Sequence, residues 1–457
     1  MSVLAVVKAD CPTCQLVAPL LPDLPVEVVS EDDDAGLERS YHLQIETVPT
    51  LLRVDEGGTE VERIVGWDRG QWEQFLGVSG LGDGLPDYRP GCGSKTLDPG
   101  VAEELAVRFG GSKMRSRRIE LAELEDEMEA MFDRGWSDGL PVVPPTEARV
   151  LRMLDGTTRA PDEIVAVVPP DLVECTVEKV AVNAVLAGCK PEYLPVVLAA
   201  VEAACTDEFN AHGLLATTYF AGPVVIVNGP IARAIGMNSG GNVLGQGNRA
   251  NATIGRALQL VIRNVGGGVP GGVDRATLGN PGKYTFCFAE DEDDSPWEPL
   301  SVERGFPADT STVTLFAGEG PRGVVDQLSR DPESLSRSIA ACLRSVAHPK
   351  LVLGFDAILV ISPEHAARYR DAGWDKAQVK ARLHELLQIP GSEIVRGAGG
   401  IAEGLPEAFA DSTLPKFRPD GLWLLHAGGK AGLFSAIIGS WANGATGSTM
   451  VTREVRP

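Results

Sequence analysis

Short blocks of apolar residues alternate with amphipathic segments through the first eighty positions of the chain. The apolar run at 4–7 has the length and composition of a buried strand, and the segment at 15–21 has the spacing of a short helix that Pro22 ends. The same patterns predict strands at 3–8, 26–29, 51–54 and 60–65 and helices at 15–21, 35–43 and 68–76. The predicted order of elements is therefore βαβαββα.

A second region of alternating helix and strand patterns runs from residue 116 to the end of the chain. Its clearest strands are predicted at 164–168, 224–227, 311–316, 357–361 and 422–425, and its clearest helices at 176–187, 191–204, 251–264, 334–346 and 376–387. Residues 81–115 begin with a stretch rich in Gly and Pro and predict a linker that carries Cys92. We therefore expect an α/β protein with a domain at 1–80, a linker at 81–115 and a large α/β domain at 116–457.

Two segments of the large domain share one pattern. Residues 224–236 and 358–373 both pass from an apolar strand through a polar turn with proline into a helix that ends at glycine. The pattern predicts an internal duplication of one α/β unit, although any strand followed by a helix can produce it.

The overall composition narrows the classes of partner. The 457 residues carry a formal net charge of −22, which argues against nucleic acid and anionic membranes as partners. No apolar run has the length of a membrane-spanning helix, and the N-terminus lacks the basic region of a signal peptide. Because eight cysteines are too few for a disulfide scaffold in a chain of this length, we expect a protein of the reducing cytoplasm. Whether the chain forms a homo-oligomer stays open.

Cys11 and Cys14 stand two residues apart, between a predicted strand and a predicted helix. A cysteine at a helix start is stabilised as a thiolate by the unpaired backbone N–H groups there. The second cysteine, one turn later, can then close a disulfide and release whatever the first has attacked. The alternatives are a zinc site, for which no further ligand pair follows, or two unrelated buried cysteines.

This arrangement resembles the minimal thioredoxin fold of thioredoxins and glutaredoxins over residues 1–80, on the motifs C-P-T-C at 11–14 and V-P-T at 48–50. The resemblance implies a cis peptide bond before Pro49, which packs beside a redox-active dithiol. Asp10 stands where thioredoxins usually carry tryptophan, which leaves the redox potential and the choice of partner open.

Three further cysteines are candidates for a catalytic thiol that the dithiol serves. Cys92 lies between glycines in the predicted linker, so it is either an exposed relay or catalytic thiol or an incidental surface residue. Cys189 follows a predicted helix next to Lys190, whose charge is expected to lower the pKa of an exposed thiol. Cys287 lies between aromatic residues on a strand-like run, where core packing is the alternative role.

Two glycine-rich segments are candidates for binding a small anionic substrate. The first, at 236–253, leads into a helix, where backbone N–H groups and an arginine can hold an anion, and a structural connector is the alternative. Its candidate binding residues are Asn238, Ser239, Asn248, Arg249 and Asn251. The second, at 426–435, joins a buried strand to a predicted short helix. Its candidates are His426, as an acid/base or a core histidine, with Gly428, Gly429 and Lys430.

The segments at 138–146, 248–253 and 428–435 resemble a group of bacterial proteins of unclear role, associated with selenoproteins that carry a Sec-Gly-Ser-Cys motif. The residues at 92–95 stand at the place of that motif, with cysteine first and Lys95 in place of the last cysteine. The resemblance implies thiol or selenol redox chemistry.

These features together predict a thiol-dependent oxidoreductase. Cys11 and Cys14 would recycle a cysteine-based active site in the large domain, which acts on a small anionic substrate, and an external thiol would reduce the dithiol. No cofactor beyond the dithiol is predicted, and the acidic run at 291–294 indicates a solvated loop rather than a metal site. Two alternatives stay open: a non-redox lyase or hydrolase with an appended docking or repair module, and a redox-sensing binding protein.

Overall fold

The computed structural model describes residues 1–457 except positions 56, 112, 113 and 123. Unit 1 comprises Met1–Lys113 and Thr146–Arg152, and unit 2 comprises Met114–Pro145 and Met153–Pro457. Positions 112 and 113 of the predicted linker therefore lie outside the described residues. Within the described part of the chain, no helix is both long enough and apolar enough to cross a bilayer.

Unit 1 is built on a mixed sheet with the strand order β2-β1-β4-β5. Its elements are β1 (Ser2–Val7), α1 (Pro12–Val17), β2 (Glu27–Ser30), α2 (Asp34–His42), β3 (Thr47–Val48), β4 (Thr50–Val54), β5 (Glu60–Val65), β6 (Trp67–Asp68), α3 (Arg69–Leu76), β7 (Tyr88–Arg89), β8 (Cys92–Gly93) and α4 (Val101–Phe109). Strand β1 is parallel to β2 and antiparallel to β4, and β5 is antiparallel to β4. Leu4 packs into the core on one face of β1 and Ala5 into the core on the other, so both faces of the sheet are covered.

The segment from 81 to 111 differs from the linker that its glycine and proline content predicts. It contains β7, β8 and α4, and its two strands pair with β6 and β3 of unit 1. Leu81 and Leu105 are buried in the unit. Burial of these apolar side chains holds the segment in unit 1, an effect that local composition does not reveal.

Unit 2 is centred on a mixed sheet with the order β12-β11-β13-β19-β15-β18, in which β20 also pairs with β13 and β14 with β19. The helix α6 (Glu147–Leu154) lies mostly in unit 1. The other elements after α4 belong to unit 2, and they are α5 (Glu127–Asp133), β9 (Ile164–Val168), β10 (Val173–Thr176), α7 (Val177–Ala187), α8 (Leu194–Ala204), α9 (Ala211–Ala216), β11 (Gly222–Asn228), α10 (Pro230–Ala234), α11 (Arg249–Asn264), β12 (Cys287–Ala289), α12 (Leu300–Glu303), β13 (Thr312–Gly318), β14 (Arg322–Val325), α13 (Pro332–Leu343), β15 (Phe355–Ile361), α14 (Pro363–Asp371), α15 (Lys376–Leu386), β16 (Gln388–Pro390), α16 (Gly391–Ile394), β17 (Thr413–Pro415), β18 (Leu422–His426), β19 (Phe434–Ala442) and β20 (Val451–Glu454). The chain is therefore a mixed α/β protein.

The two halves of this sheet use the same pairing pattern. Strand β11 has a parallel neighbour, β12, and an antiparallel neighbour, β13. Strand β15 likewise has a parallel neighbour, β18, and an antiparallel neighbour, β19. The internal duplication stays a prediction, and this pattern is the kind that a duplicated unit would produce.

The segment after β18 differs from the predicted short helix. Phe434–Ala442 forms the strand β19, which runs antiparallel to β15. Ile437 packs into one hydrophobic core of the unit and Ile438 into another. Successive side chains that point to opposite faces require a strand, and both faces here are covered by helices and loops.

Candidate functional site

Cys11 lies at the N-cap of α1, directly after the turn that follows β1. Its Sγ accepts a hydrogen bond from the Cys14 backbone N–H at 3.3 Å, so it takes the place of a capping side-chain oxygen. Pro12 occupies the first helical position, where no backbone N–H is needed. The local sequence thus builds a sulfur-capped helix start.

Cys92 meets Cys11 across the unit. Strand β8 runs antiparallel to β3, with Cys92 opposite Val48, and the Sγ atoms of Cys92 and Cys11 lie 2.8 Å apart. This distance exceeds the bond length of about 2.05 Å in a disulfide, and all three cysteines are free thiols. The Val48–Pro49 peptide bond is cis, as the resemblance implies, and the Val48 carbonyl oxygen lies 3.5 Å from the Cys11 Sγ.

The three thiols differ in their access to solvent. Cys11 is 0% exposed and Cys14 is 3% exposed, whereas Cys92 is only half-buried. An external molecule therefore reaches this cluster at Cys92.

The hydrogen bonds of the cluster separate the three pKa values. Burial alone would raise the pKa of Cys11, but hydrogen bonds from the Cys92 thiol and the Cys14 backbone N–H lower it overall. Burial raises the pKa of Cys14, and burial together with the hydrogen bond to Cys11 raises the pKa of Cys92. Cys11 is thus the most acidic of the three thiols, and the Cys92 thiol can donate to it once Cys11 has lost its proton.

Removal of the Cys92 donor is expected to raise the pKa of Cys11. A hydrogen bond to a charged group is worth about 1.5–3 kcal/mol, so Cys92→Ala should move the pH midpoint of Cys11 alkylation up by about one pH unit or more. Cys92→Ser keeps a donor and should retain most of the lowered pKa. The rate of Cys11 modification by iodoacetamide, followed against pH by mass spectrometry, measures both midpoints. Equal midpoints for the alanine and serine variants would contradict the assigned donor.

The candidate thiols of unit 2 have raised pKa values, in contrast to the lowered pKa of Cys11. Cys189 is buried rather than exposed, its Sγ lies 3.4 Å from the Thr253 carbonyl oxygen, and burial raises its pKa to about 12. The predicted lowering of the Cys189 pKa is therefore wrong, because desolvation outweighs the positive charge nearby. Cys287 is buried on β12, and burial raises its pKa as well.

Most polar side chains of the first glycine-rich segment hydrogen-bond to the protein itself. The Asn248 side chain caps α11, and the Asn251 side chain bonds to both the N–H and the carbonyl of Asn238. Arg249 donates through Nε to the carbonyl oxygen of Gly188 at 2.9 Å, at the end of α7. These contacts favour the structural-connector alternative over anion binding.

The second glycine-rich segment meets the first one. The Gly428 N–H donates to the Ser239 carbonyl at 2.8 Å, and a carbon built as Cβ on Gly429 would lie 3.3 Å from the Gly241 Cα. His426 is buried with Nδ1 3.1 Å from the Asp291 carbonyl oxygen.

A small cleft opens at the carboxyl ends of β11 and β12. Its lining includes Ser239, Arg233, Glu290, Asp291, Glu292 and Asp293. Lys430, a predicted anion-binding residue, forms an ion pair with Asp294 at 2.7 Å. Across the described residues, no group of three or more His, Cys, Asp or Glu side chains is placed to hold a metal ion. The carboxylates in the lining suit a cationic or neutral ligand better than an anionic one.

Two residues that the sequence analysis missed hold the Cys92 segment. Glu31, at the end of β2, is buried and accepts hydrogen bonds from the Ser94 hydroxyl and the Lys95 N–H. Thr13, inside the C-P-T-C motif, donates through Oγ1 to the Pro90 carbonyl at 2.7 Å. Only the position of Glu31 at a strand end could have marked it, because a lone glutamate in a charged segment has no distinctive pattern.

Comparison of the chain with protein-family models gives no match, and comparison with curated proteins gives none either. Function is therefore inferred from the geometry and electrostatics of the cysteines.

Proposed function

We propose that the chain is a thiol-dependent oxidoreductase whose reaction centre is the cluster of Cys11, Cys14 and Cys92. The observation that carries the proposal is the 2.8 Å distance between the Sγ atom of Cys11, whose pKa is lowered, and the Sγ atom of the accessible Cys92. Sulfur atoms this close can exchange a disulfide with little movement of the backbone.

We also infer a thioredoxin-like fold for unit 1. It is supported by the sheet order β2-β1-β4-β5, by a CxxC motif at the start of the helix after β1, and by Pro49 immediately before β4. In this arrangement Cys11 and Cys14 act as the dithiol that the sequence predicts.

The proposed substrate is a small disulfide, RSSR. Cys92 passes its proton to the Cys11 thiolate and attacks RSSR, so that one RS⁻ leaves and takes that proton from Cys11. Cys11 then attacks the Cys92 sulfur, the second RS⁻ leaves and takes a proton from water, and a Cys11–Cys92 disulfide forms. Cys14 finally attacks the Cys11 sulfur, and its proton goes to the departing Cys92 thiolate. Two electrons have then moved from Cys11 and Cys14 to RSSR, and an external thiol reduces the Cys11–Cys14 disulfide.

The proposed reaction centre lies in unit 1, whereas the sequence predicts a cysteine-based active site in the large domain. A reactive thiol in unit 2 would need a low pKa and access to solvent, and burial opposes both for Cys189 and Cys287. The cleft at the carboxyl ends of β11 and β12 is a candidate for binding a small molecule in unit 2.

A Cys14→Ser variant tests the order of these steps. After one equivalent of oxidised glutathione, this variant should accumulate the Cys11–Cys92 disulfide, because the thiol that resolves it is absent. The wild-type chain should accumulate the Cys11–Cys14 disulfide instead. Peptide mapping by mass spectrometry identifies each bond, with Cys205→Ser as the control for a thiol outside the cluster. A Cys14→Ser chain in which Cys92 stays reduced would overturn the proposed relay.

A further inference from the structure

The segment at 88–95, which carries Cys92, lies on unit 1 in the way that a bound peptide adds a strand. Its β8 residues pair antiparallel with β3, Val48 opposite Cys92, and no other strand of the described residues pairs with β3. Strand addition of this kind binds extended peptides through their main chain, while side chains set the specificity.

Hydrogen bonds to three residues of unit 1, namely Glu31, Glu46 and Thr13, fix the 88–95 segment. The Ser94 hydroxyl donates to the buried Glu31 carboxylate at 2.5 Å, and the Lys95 N–H donates to the same carboxylate at 2.8 Å. The Ser94 N–H donates to the Glu46 carbonyl at 2.9 Å, and Thr13 holds the Pro90 carbonyl at 2.7 Å. A buried carboxylate that receives two donors is costly to leave unpaired, so the segment is firmly seated.

The position of the 88–95 segment limits which disulfide substrates can reach Cys11 and Cys14. An extended polypeptide with a disulfide would have to pair with the same edge of β3 and bring its sulfur to the place of the Cys92 Sγ. Cys11 and Cys14 themselves are buried, so an approaching polypeptide meets the half-buried Cys92 before it meets either of them.

We propose that the 88–95 segment is a built-in substrate strand, which excludes polypeptide disulfides from Cys11 and restricts the centre to small disulfides that react at Cys92. This inference rests on the proposed function, since it assigns the substrate class of the same three thiols. Cys92 takes the place of a substrate cysteine, and Glu31 is the positioning residue that keeps it there.

The two glycines beside Cys92 offer a matched pair of variants. A Cβ on Gly91 would lie 2.8 Å from the Val48 carbonyl oxygen and would also strike the Thr47 side chain, whereas a Cβ on Gly93 meets nothing within 4 Å. Neither glycine has a positive φ, so alanine introduces no backbone strain at either position. Gly91→Ala should therefore lift the segment from β3, and Gly93→Ala should leave it in place.

The test compares a small disulfide, oxidised glutathione, with a polypeptide disulfide, insulin, with a dithiol as the final reductant. The wild-type chain and Gly93→Ala should reduce only oxidised glutathione above background. Gly91→Ala should reduce insulin at least about tenfold faster than wild type, because overpacking weakens the seated strand. Wild-type reduction of insulin at the rate of oxidised glutathione would overturn the inference.

A second variant keeps the inference testable if Gly91→Ala does not fold. Glu31→Gln keeps the size of the side chain but removes the charge that holds Ser94 and Lys95, and it should also expose Cys11 to a bulky maleimide. Unchanged maleimide labelling and unchanged insulin reduction in both variants would reject the substrate strand. Failure of the proposed function gives a different result, namely no reduction of oxidised glutathione by wild type or by any variant.

Discussion

Cys11→Ser is expected to abolish repeated turnover of a small disulfide, because Cys11 is the sulfur shared by both disulfides of the proposed relay. Loss of a nucleophile lowers turnover on the order of 10⁴-fold or more. The variant should still release one equivalent of thiol per chain, since Cys92 is accessible and can attack once. A slow single release followed by a stable mixed disulfide on Cys92 is therefore the expected time course.

The measurement is steady-state thiol release from oxidised glutathione, with a single-turnover experiment beside it. Cys342→Ser is a suitable control, because Cys342 is a free, partly exposed thiol that packs against a core of unit 2 and does not belong to the cluster. The control should keep the full rate. Full steady-state activity of Cys11→Ser would remove the three-cysteine relay from consideration, and the lyase, hydrolase and redox-sensing alternatives would then lead.

Local patterns were sufficient for most of the secondary structure. The apolar runs predicted at 224–227 and 357–361 lie in β11 and β15, because a strand covered on both faces needs a continuous apolar sequence. The segment at 434–442 was predicted differently because its glycine-rich approach resembles a turn before a helix. Side chains of this segment alternate between two hydrophobic cores, and this alternation identifies a strand only when both cores are known.

The candidate site could be predicted from the sequence only in part. Cys11 and Cys14 are two residues apart, so spacing alone places them together. The contact between Cys11 and Cys92 joins residues 81 positions apart, and it depends on the pairing of β8 with β3. No periodicity marks a two-residue strand, which is why glycines on either side of Cys92 suggested a linker.

The asparagines of the first glycine-rich segment illustrate a different limit of sequence reasoning. A side chain that can bind a ligand can also cap a helix, and both roles favour Asn beside glycine. Asn248 caps α11, and Asn251 ties the loop to Asn238, so the fold accounts for both residues. Only the location of their hydrogen-bonding partners decides between the two roles.

Unit 2 contains an ion pair whose loss is expected to cost a large share of its stability. Arg256 on α11 donates from Nε and Nη2 to the two carboxylate oxygens of Asp138 at 2.8 and 2.7 Å, and from Nη2 to the Leu140 carbonyl at 3.1 Å. The side chains of Arg256 and Asp138 are only 13% and 12% exposed. A bidentate pair shielded from water holds the turn at 138–140 against α11.

Asp138→Ala should lower the free energy of unfolding of unit 2 by about 3–5 kcal/mol, because it leaves the Arg256 guanidinium without its anionic partner in a largely buried place. Amide hydrogen exchange of α11 and β11 measures this loss in unit 2 itself. Asp293→Ala is the matched control, since the Asp293–Arg233 pair is 63% and 68% exposed and should change the same free energy by about 1 kcal/mol or less. Equal, small effects of both substitutions would show that water or a neighbouring group compensates Arg256, and that the turn at 138–140 is held by other contacts.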